Sequence, residues 1–321
     1  MRAFVTGATG FIGGTLARRL RERGDEVVTL VRSPDRAGDL RDLGCHLVDG
    51  SLSSRSAIAE GVRRCDAVFH VAAMYEVGLP RRERGAMFEA NVRGTERVLD
   101  AAIEAGVPRI VHVSTVNVFG NTRGRVVDEA YRRPQEDGYL SYYDQTKYLA
   151  HQVAVERIAR GAPVVIAMPG AVYGPDDPSQ LGNLMHQVRT RKLKFRTFPE
   201  AGFVYLHVDD CADGIMLVHD RGRVGESYVL GGERSTVGTF IDTVARLAGV
   251  PPPRLNLPAP LVKMAVPIGP LVGRLMGFPP NLGELIRVAD GVTCWASDEK
   301  ARRELGYAPR DLETGLRQIL T

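Results

Sequence analysis

The stretch VTGATGFIGG, from Val5 to Gly14, decides the fold because it places three evenly spaced glycines directly after an apolar run. In a strand–turn–helix unit, Gly7 permits the tight turn, Gly10 lets the backbone approach a pyrophosphate, and Gly13 permits close helix–strand packing. The start of the following helix offers free N–H groups and the positive end of its dipole to an anion. Glycines also mark ordinary turns, but their position after the first predicted strand favours a dinucleotide-binding loop.

Apolar, β-branched runs alternate with helical patterns through the first half of the chain. The predicted strands span residues 3–5, 26–31, 45–48, 67–72, 109–114 and 163–168. Ile12, Leu16 and Leu20 recur at four-residue spacing, as on one face of a helix that Gly24 ends. A longer helical pattern, MFEANVRGTERVLDAAIEAG, ends at Gly106. This alternation predicts parallel strands joined by right-handed crossovers, and hence an α/β fold with a doubly wound parallel sheet of the Rossmann type.

After Ala167 the alternation breaks, proline and glycine become more frequent, and the elements shorten until a final helical segment, SDEKARRELG. We assign residues 1–168 to a dinucleotide-binding domain, to which residues 205–230 return. Residues 169–204 and 231–321 are predicted to form a smaller, interleaved C-terminal substrate lobe.

One apolar stretch, LPAPLVKMAVPIGPLVGRLMGF, runs from Leu257 to Phe278 within that lobe. Its prolines, together with Lys263 and Arg274, argue against a plain membrane span. The favoured interpretation is a set of short helices lining an apolar substrate pocket, and docking on a membrane surface is the alternative.

The composition excludes several classes of function. A hydrophobic content of 44% and a charged content of 25% are those of an ordinary globular protein. The formal charge of +4 is small for 321 residues, so nucleic acid is not an expected partner. The four cysteines form no C-x-x-C, so neither a zinc site nor a disulfide framework is predicted. The chain enters a strand-like run at once, which favours a cytoplasmic protein without stable membrane insertion.

The end of the second predicted strand bears on which dinucleotide is bound. NAD-binding proteins usually place an acidic residue there to hold the ribose 2′-hydroxyl group. Here the sequence reads Leu30-Val31-Arg32-Ser33, and Arg36 follows closely. A guanidinium suits a 2′-phosphate, so NADP is favoured over NAD, although a solvated surface arginine is the simpler alternative in an arginine-rich chain.

Further motifs follow in a fixed order. They are HVAA (70–73), Asn91-Val92-x-Gly94-Thr95, HVST (112–115) with Gly120, Tyr143-x-x-x-Lys147, PGAVYGP (169–175), LHVDD (206–210) and ARRELGY (301–307). With the glycine loop, they make the chain resemble the extended short-chain dehydrogenase/reductase family over nearly its whole length. The resemblance implies NAD(P) as the cofactor and chemistry at a CH–OH or C=O group.

The resemblance also implies catalytic roles. Tyr143 would be the proton donor to a carbonyl oxygen, or the base in the reverse direction. A phenol with an ordinary pKa near 10 is poorly matched to neutral pH. Lys147 lies one helical turn away, so its positive charge is expected to favour the phenolate and its donors to reach the nicotinamide ribose. Thr115 would orient the substrate oxygen, with Ser114 as its neighbour and fallback. The alternative is a Tyr–Lys pair that only decorates a helix surface.

Cofactor contacts carry over from the family position by position. Val71, Ala72 and Ala73 would run under the pyrophosphate and ribose, Pro169 and Val172 would flank the nicotinamide, and Ser51-Leu52 would lie by the adenine. Relatives commonly have Asp where Ser51 stands, which weakens the expected adenine contact. The full predicted set is Gly7, Thr9, Gly10, Phe11, Ile12, Gly13, Arg32, Arg36, Ser51, Leu52, Val71, Ala72, Ala73, Ser114, Tyr143, Lys147, Pro169 and Val172.

Departures from the family pattern narrow the reaction. Dehydratases that resemble this chain follow the catalytic Thr with an Asp-Glu pair, and here Val116 and Asn117 stand instead. Many nucleotide-sugar enzymes grip a diphosphate with an Arg four residues before the H-V-x-D segment. That position is Phe203 here, which is therefore the predicted substrate contact. Basic substitutes for that Arg are available at Arg189, Arg191, Lys192 and Lys194. The apolar residues Val262, Met264, Val266, Leu271, Met276 and Phe278 are predicted to line the pocket.

The sequence therefore predicts an NADP-dependent oxidoreductase that transfers hydride between the nicotinamide and a hydrophobic ketone or aldehyde, similar to dihydroflavonol reductases and hydroxysteroid dehydrogenases. One alternative is a nucleotide-sugar epimerase with retained NAD(P). The other is a non-catalytic NADP-sensing protein, a class that typically lacks the tyrosine.

Other expectations concern partners and the remaining polar residues. A homodimer through the helices at 83–105 and 139–160 is usual for the family, and a monomer is the alternative. Asn91 is expected to tie backbone together rather than touch substrate. His70, His112 and His207 lack metal-ligand spacing and are expected to be hydrogen-bonded core residues, so no metal site is predicted. His151 stands where relatives often have Glu, and the sequence suggests no role for it.

Overall fold

A computed structural model describes residues 1–264 and 281–320 of the chain. Its strands are β1 (Arg2–Thr6), β2 (Glu26–Val31), β3 (His46–Asp49), β4 (Ala67–His70), β5 (Ile110–Val113), β6 (Val164–Pro169), β7 (Ala171–Tyr173), β8 (Phe195–Thr197), β9 (Gly202–His207), β10 (Ser227–Leu230), β11 (Glu233–Thr236) and β12 (Leu255–Leu257). Seven of them form one sheet in the order β10-β6-β5-β4-β1-β2-β3. Every pairing in this sheet is parallel. The predicted doubly wound α/β fold is confirmed.

Helices cover both faces of this sheet, and further helices lie outside it. The α-helices of the described residues are α1 (Phe11–Glu22), α2 (Gly38–Asp42), α3 (Arg55–Val62), α4 (Arg84–Phe88), α5 (Gly94–Glu104), α6 (Tyr142–Ala159), α7 (Gln180–Arg189), α8 (Val208–Arg221), α9 (Val237–Leu247), α10 (Ala259–Met264), α11 (Leu282–Arg287), α12 (Glu299–Leu305) and α13 (Leu312–Leu320). Helices α1, α2, α8 and α12 pack their apolar residues on one face of the sheet. Helices α3, α5 and α6 cover the other face. Because both faces are buried, the strands carry the continuous apolar runs of a parallel sheet.

A smaller lobe is built on two short sheets. One has the order β11-β9-β7 and the other pairs β12 with β8. Helices α7, α9 and α13 pack around a separate apolar cluster whose largest members are Tyr173, Tyr205 and Phe240. Residues 208–221 and 227–230 cross back to the large sheet as α8 and β10, so the chain interleaves the two parts.

The long helix expected up to Gly106 is present, but its middle turn, Glu89–Arg93, is π-helical and separates α4 from α5. The Thr95 hydroxyl, in the next turn, donates to the Asn91 backbone carbonyl (2.7 Å). One sequence-based prediction of secondary structure was wrong. The segment SDEKARRELG is not the last helix, since α13 follows it. Gly315 in α13 suggests a break, but a Cβ there would lie 2.1 Å from the Tyr173 hydroxyl, so packing requires glycine.

The stretch Leu257–Phe278 falls partly outside the described residues, and with it the predicted pocket residues Val266, Leu271, Met276 and Phe278. Of the other two, Val262 packs against an apolar cluster that includes Phe203. Met264 is 75% exposed, which does not support the prediction that it lines a pocket. In the ranges that the structure covers, no helix combines the length and the apolar character that crossing a membrane requires.

All four cysteines are free thiols in the interior. Cys45, Cys65 and Cys211 lie in the layers of the large sheet, and Cys294 is buried beside Gly120, whose carbonyl accepts its S–H at 3.7 Å. Burial raises the pKa of each thiol, so that the thiolate is disfavoured at neutral pH.

The turn between β1 and α1 leaves no space for a side chain at Gly7 or at Gly13. Gly7 has φ +79°, and a Cβ on it would lie 2.8 Å from the backbone of Ala72. A Cβ on Gly13 would lie 2.1 Å from the Gly7 carbonyl oxygen. The helix can therefore begin directly over the end of the strand only because these two positions are glycine.

We predict that Gly13→Ala lowers the free energy of unfolding by about 1–3 kcal/mol, because the added methyl group forces backbone apart in a packed turn. Gly85→Ala is the matched control. It lies in α4 with open space around it, and it should be neutral or stabilising by about 0.5–1 kcal/mol. Urea unfolding followed by circular dichroism measures both changes. Equal stability of the two variants would contradict the close packing.

Candidate active site

The candidate site lies at the carboxyl ends of β1, β4, β5 and β6, where the strand order reverses direction between β1 and β4. Ligands of doubly wound sheets bind at such a switch point. The loops after β1 and β4 are joined there, because the Ala72 backbone N–H donates to the Thr6 hydroxyl at 3.3 Å. The predicted residues Gly7, Val71, Ala72 and Ala73 are therefore neighbours.

A hydrogen-bonded chain continues from this junction. His70 joins Thr6 through Nδ1 (2.8 Å) and Thr95 through Nε2 (2.9 Å). The Thr95 hydroxyl donates its hydrogen to the Asn91 backbone carbonyl. His70 must therefore donate from Nε2 and accept at Nδ1, which fixes its tautomer. Burial and the nearby Lys147 lower the pKa of His70 to about 3, so the ring is neutral at neutral pH.

The glycine loop borders a cavity of about 270 Å³. Its lining is Ala8, Thr9, Gly10, Gly14, Arg18, Arg36, Ala37, Asp39, Leu40 and Leu43. Arg36 was predicted to lie here, whereas Arg18 was missed. The signal was present in the sequence, since Gly10, Gly14 and Arg18 share one helix face at four-residue spacing. Arg32 is exposed at the end of β2 and is not part of this lining. A glycine cradle beside guanidinium groups fits the phosphates of a dinucleotide.

Lys147 points from α6 into the sheet and is only 5% exposed. Its ammonium donates to the Val113 carbonyl at the end of β5 (3.0 Å). Burial lowers its pKa from the ordinary value of 10.5 to about 8. The pair is therefore not surface decoration, because a buried ammonium is costly and needs a reason to be there.

Tyr143 lies on the same face of α6 and is 9% exposed. It packs with Leu79 and Met87, and the Tyr75 ring meets it edge-on at 4.8 Å between ring centroids. Burial raises the pKa of Tyr143, and Tyr75 and Asp144 raise it further. The expectation that Lys147 makes this phenol more acidic is thus wrong for the arrangement described here. The ammonium is directed to a strand carbonyl, and the apolar surroundings disfavour the phenolate.

The two candidate hydroxyl groups after β5 have different partners. The Ser114 hydroxyl shares a hydrogen bond with His151 Nδ1 (3.0 Å), whereas Thr115 Oγ1 accepts from the backbone N–H of Asn117 (3.2 Å). Thr115 therefore keeps its own hydroxyl hydrogen available to a substrate oxygen. Burial, with Lys147 and Arg132 nearby, lowers the pKa of His151 to about 4. The sequence suggested no role for His151. In the structure it is a neutral hydrogen-bond partner of the Ser114 hydroxyl.

Asn91 joins the loop after β4 to helix α6. Its side-chain oxygen Oδ1 accepts from the Met74 N–H (2.7 Å). Its side-chain Nδ2 donates to the Met74 carbonyl and to the Thr146 hydroxyl (both 3.0 Å). The expectation that Asn91 ties backbone together is confirmed.

The expectation for the histidines holds only in part. His70 is fully hydrogen-bonded, but both ring nitrogens of the buried His112 lack a partner among the described residues. His112 stacks on His70 at 5.6 Å, and burial holds its pKa well below the ordinary value. His207 accepts from the Asp209 N–H at Nδ1 (3.2 Å), and its Nε2 finds no partner in the described ranges. Across residues 1–264 and 281–320, no three His, Cys, Asp or Glu side chains form a candidate metal site.

The remaining predicted residues lie around this edge of the sheet. Phe11 is close to Gly174, because a Cβ on that glycine would lie 3.1 Å from the Phe11 ring. Ser51 and Leu52 follow β3, where Leu52 packs beside Gly94 and its carbonyl accepts from Arg97 (3.2 Å). Ile12 opens α1, while Pro169 ends β6 and Val172 lies in β7. Phe203 lies in β9, half-buried between two apolar clusters of the lobe.

The fold and this edge of the sheet define a dinucleotide-dependent enzyme, and comparison with known proteins gives the same class. The sequence model of the NAD dependent epimerase/dehydratase family matches residues 3–231. The 4-hydroxy-2-methyl-3-oxo-4-farnesyl-3,4-dihydroquinoline-1-oxide ketoreductase of Stigmatella aurantiaca is 33% identical, covering 97% of this chain and 92% of its own. The sterol demethylase protein B of Methylococcus capsulatus is 31% identical, covering 96% and 94%.

A solved structure agrees as well. The crystal structure of gox2253 superimposes with a TM-score of 0.85 at 31% identity, covering 99% of this chain and 96% of that one. The chain belongs to the NAD dependent epimerase/dehydratase family, the extended short-chain dehydrogenases/reductases. It is an enzyme of the NAD(P)-dependent oxidoreductase type.

We predict that Lys147→Met raises the free energy of unfolding at pH 7 by about 2 kcal/mol, because it removes a buried charge at the loss of one hydrogen bond. The folded pKa lies below the unfolded one, so the penalty is fully present below pH 8. This penalty decreases as the pH rises from 8 towards 10.5. In that interval Lys147 has lost its proton in the folded chain but still binds it in the unfolded chain. The stability gap between variant and wild type should therefore close over that interval.

Urea titrations at pH 7, 8, 9 and 10 measure this gap. Lys192→Met, which alters an exposed lysine, is the control and should show no pH-dependent gap. A Lys147→Met protein no more stable than wild type at pH 7 would show that the charge is well solvated in the folded chain.

Proposed function

We propose that this enzyme is an NADPH-dependent reductase of hydrophobic ketones or aldehydes, equivalently an alcohol dehydrogenase in reverse. The observation that carries the proposal is the apolar enclosure of Tyr143. Its neighbours are Leu79, Met87 and the rings of Tyr75 and Tyr142, with Met74 nearby. A carbonyl group on a hydrophobic skeleton can enter such surroundings at less cost than a charged sugar nucleotide.

The residues of the site divide the reaction between them. NADPH held at the glycine loop of Gly7, Gly10 and Gly13 would supply a hydride for the carbonyl carbon. Tyr143 keeps its proton at neutral pH because burial raises its pKa, so its O–H is ready to donate to the carbonyl oxygen. Lys147 holds its ammonium at the Val113 carbonyl, and the N–H groups that this bond leaves over would donate to the nicotinamide ribose. Thr115 donates a hydrogen bond that holds the oxygen in place.

Two curated relatives support a hydrophobic substrate. One is named for a farnesylated quinoline oxide and reduces a ketone, and the other is named for a sterol. Both match nearly the whole chain, including the lobe in which Phe203 and Val262 lie in one apolar cluster. Position 203 is phenylalanine, so it carries no positive charge that could bind a diphosphate.

The preference for NADP rests on the cavity beside the glycine loop. Arg18 and Arg36 both line it and both are exposed, so each guanidinium is available to a 2′-phosphate. Arg32, at the tip of β2, adds positive charge nearby. An acidic residue suited to the ribose hydroxyl of NAD does not stand at that tip.

Nucleotide-sugar epimerisation is the second candidate, because the family that matches the chain is named for epimerases as well as dehydratases. Such an enzyme returns its hydride to the same substrate. It would therefore convert a nucleotide sugar without net consumption of NADPH, whereas the proposed reductase consumes one NADPH for each carbonyl.

Tyr143→Phe should lower kcat/KM for a hydrophobic ketone by about 10²–10⁴-fold, because it removes the proton donor. The dissociation constant of NADP should stay within about twofold, since the ring and its packing are retained. Tyr148→Phe, on the same helix, is the matched control and should retain activity. NADPH absorbance with a panel of ketones, and fluorescence titration of the cofactor, supply the measurements. Undiminished turnover by Tyr143→Phe refutes the mechanism.

Arg36→Ala and Arg18→Ala should each weaken NADP binding by about tenfold and leave NAD binding unchanged, because each removes one charged partner of the 2′-phosphate. Arg160→Ala, at an exposed position after α6, is the control. Isothermal titration with both dinucleotides measures the effect. An equal loss for NADP and NAD would place these arginines elsewhere on the cofactor.

A further inference from the structure

Helix α11 (Leu282–Arg287) connects the substrate lobe to the catalytic helix. On the lobe side, Leu282 and Ile286 pack in an apolar cluster with Phe203. On the other side, Glu284 is buried and 1% exposed, and its carboxylate lies between two segments of the dinucleotide-binding part. We propose that Glu284 is a positioning residue that fixes the lobe to the first turn of α6 and so holds Tyr143 in place. The effect of Glu284 on catalysis rests on the proposed reduction.

The carboxylate makes three contacts. Its Oε2 accepts from the backbone N–H of Gly78 at 2.8 Å, and its Oε1 accepts from the backbone N–H of Tyr142 at 2.6 Å. The guanidinium of Arg84 lies 3.6 Å from Oε1 and 4.9 Å from the centroid of the Tyr142 ring. Each oxygen thus has one backbone donor, and the charge has one cationic partner, which is what makes burial of a carboxylate tolerable.

Tyr142 is the first residue of α6, where backbone N–H groups have no partner within the helix. Ser141 caps one of them, since its hydroxyl accepts from the Asp144 N–H (3.0 Å). Glu284 supplies the acceptor for another and places a negative charge at the positive end of the helix dipole. The next residue in the chain is Tyr143, so this contact fixes the backbone next to the proton donor.

Gly78 ends the loop that carries Tyr75, the ring that meets Tyr143 edge-on. Asn91 ties the other end of this loop to α6 through Met74 and Thr146. The loop is therefore held against the catalytic helix at both ends. Asn91 comes from the dinucleotide-binding part, whereas Glu284 comes from the lobe. Through Glu284, the lobe therefore contacts the two segments that carry Tyr75 and Tyr143.

Glu284→Gln is the informative substitution because it preserves size and removes one acceptor. The amide has one oxygen for two backbone donors, and its NH₂ group faces the second N–H. At least one of Gly78 and Tyr142 therefore loses its partner. Glu200→Gln is the matched control, since Glu200 is an exposed lobe residue whose carboxylate forms no ion pair with any described residue.

The first measurement is amide hydrogen exchange on the full chain, which does not depend on activity. In the wild type, the N–H groups of Gly78 and Tyr142 should exchange slowly for residues at a loop end and a helix start. In Glu284→Gln, at least one of the two peptides that cover 74–80 and 141–147 should exchange about tenfold faster. The control variant should match the wild type in both peptides.

The second measurement is steady-state kinetics with a hydrophobic ketone. Glu284→Gln should lower kcat/KM by about tenfold, and the dissociation constant of NADPH should remain within about twofold of the wild type. A general loss of folding would weaken both. Glu284→Asp keeps the charge but is one methylene shorter, so it should lie between the wild type and Glu284→Gln in both measurements. It also serves as the test if the glutamine variant does not fold.

The outcomes separate the two proposals. Faster exchange in either peptide with reduced ketone turnover supports the positioning role. Faster exchange in a protein whose wild type reduces no carbonyl supports the contact and refutes the reductase. Unchanged exchange in Glu284→Gln, or cofactor affinity that falls as much as kcat/KM, overturns the positioning role whatever the reaction is.

Discussion

The close approach of two backbone segments at the carboxyl end of β1 is the constraint on which the site depends. Gly13 has no room for a Cβ because the Gly7 carbonyl lies where that atom would be, and Gly7 in turn touches Ala72. Strand, helix and the loop after β4 therefore share one small volume. That loop continues to Tyr75 and Gly78, so the glycine turn also affects the position of the Tyr75 ring beside the Tyr143 phenol.

The electrostatics of the site follow from burial. Lys147 and Tyr143 lie one turn apart in surroundings that disfavour charge on either of them, which lowers one pKa and raises the other. At neutral pH the phenol is thus protonated, and the ammonium is charged but close to its pKa. A protonated phenol is what the proposed reductase requires of Tyr143.

The sheet, the glycine loop and the Tyr–Lys pair could be predicted from the sequence because each depends on spacing within a few residues. Contacts that depend on distant chain segments could not. Glu284 meets partners 142 and 206 positions away, and no local pattern indicates them. The acidity of Tyr143 was misjudged for the same reason, since helical spacing gives its distance from Lys147 but not its burial. Arg18 was recoverable from helix periodicity.

The buried thiols have a practical consequence. Since none of the four is accessible in the folded chain, alkylation can occur only when the surrounding structure opens. Cys294 lies against the loop that contains Gly120, whereas Cys45 and Cys211 lie in the layer around α1 and α8. The relative rates at which these cysteines are alkylated would therefore distinguish a local opening around Cys294 from unfolding of the whole sheet. No cysteine has to be introduced for this experiment.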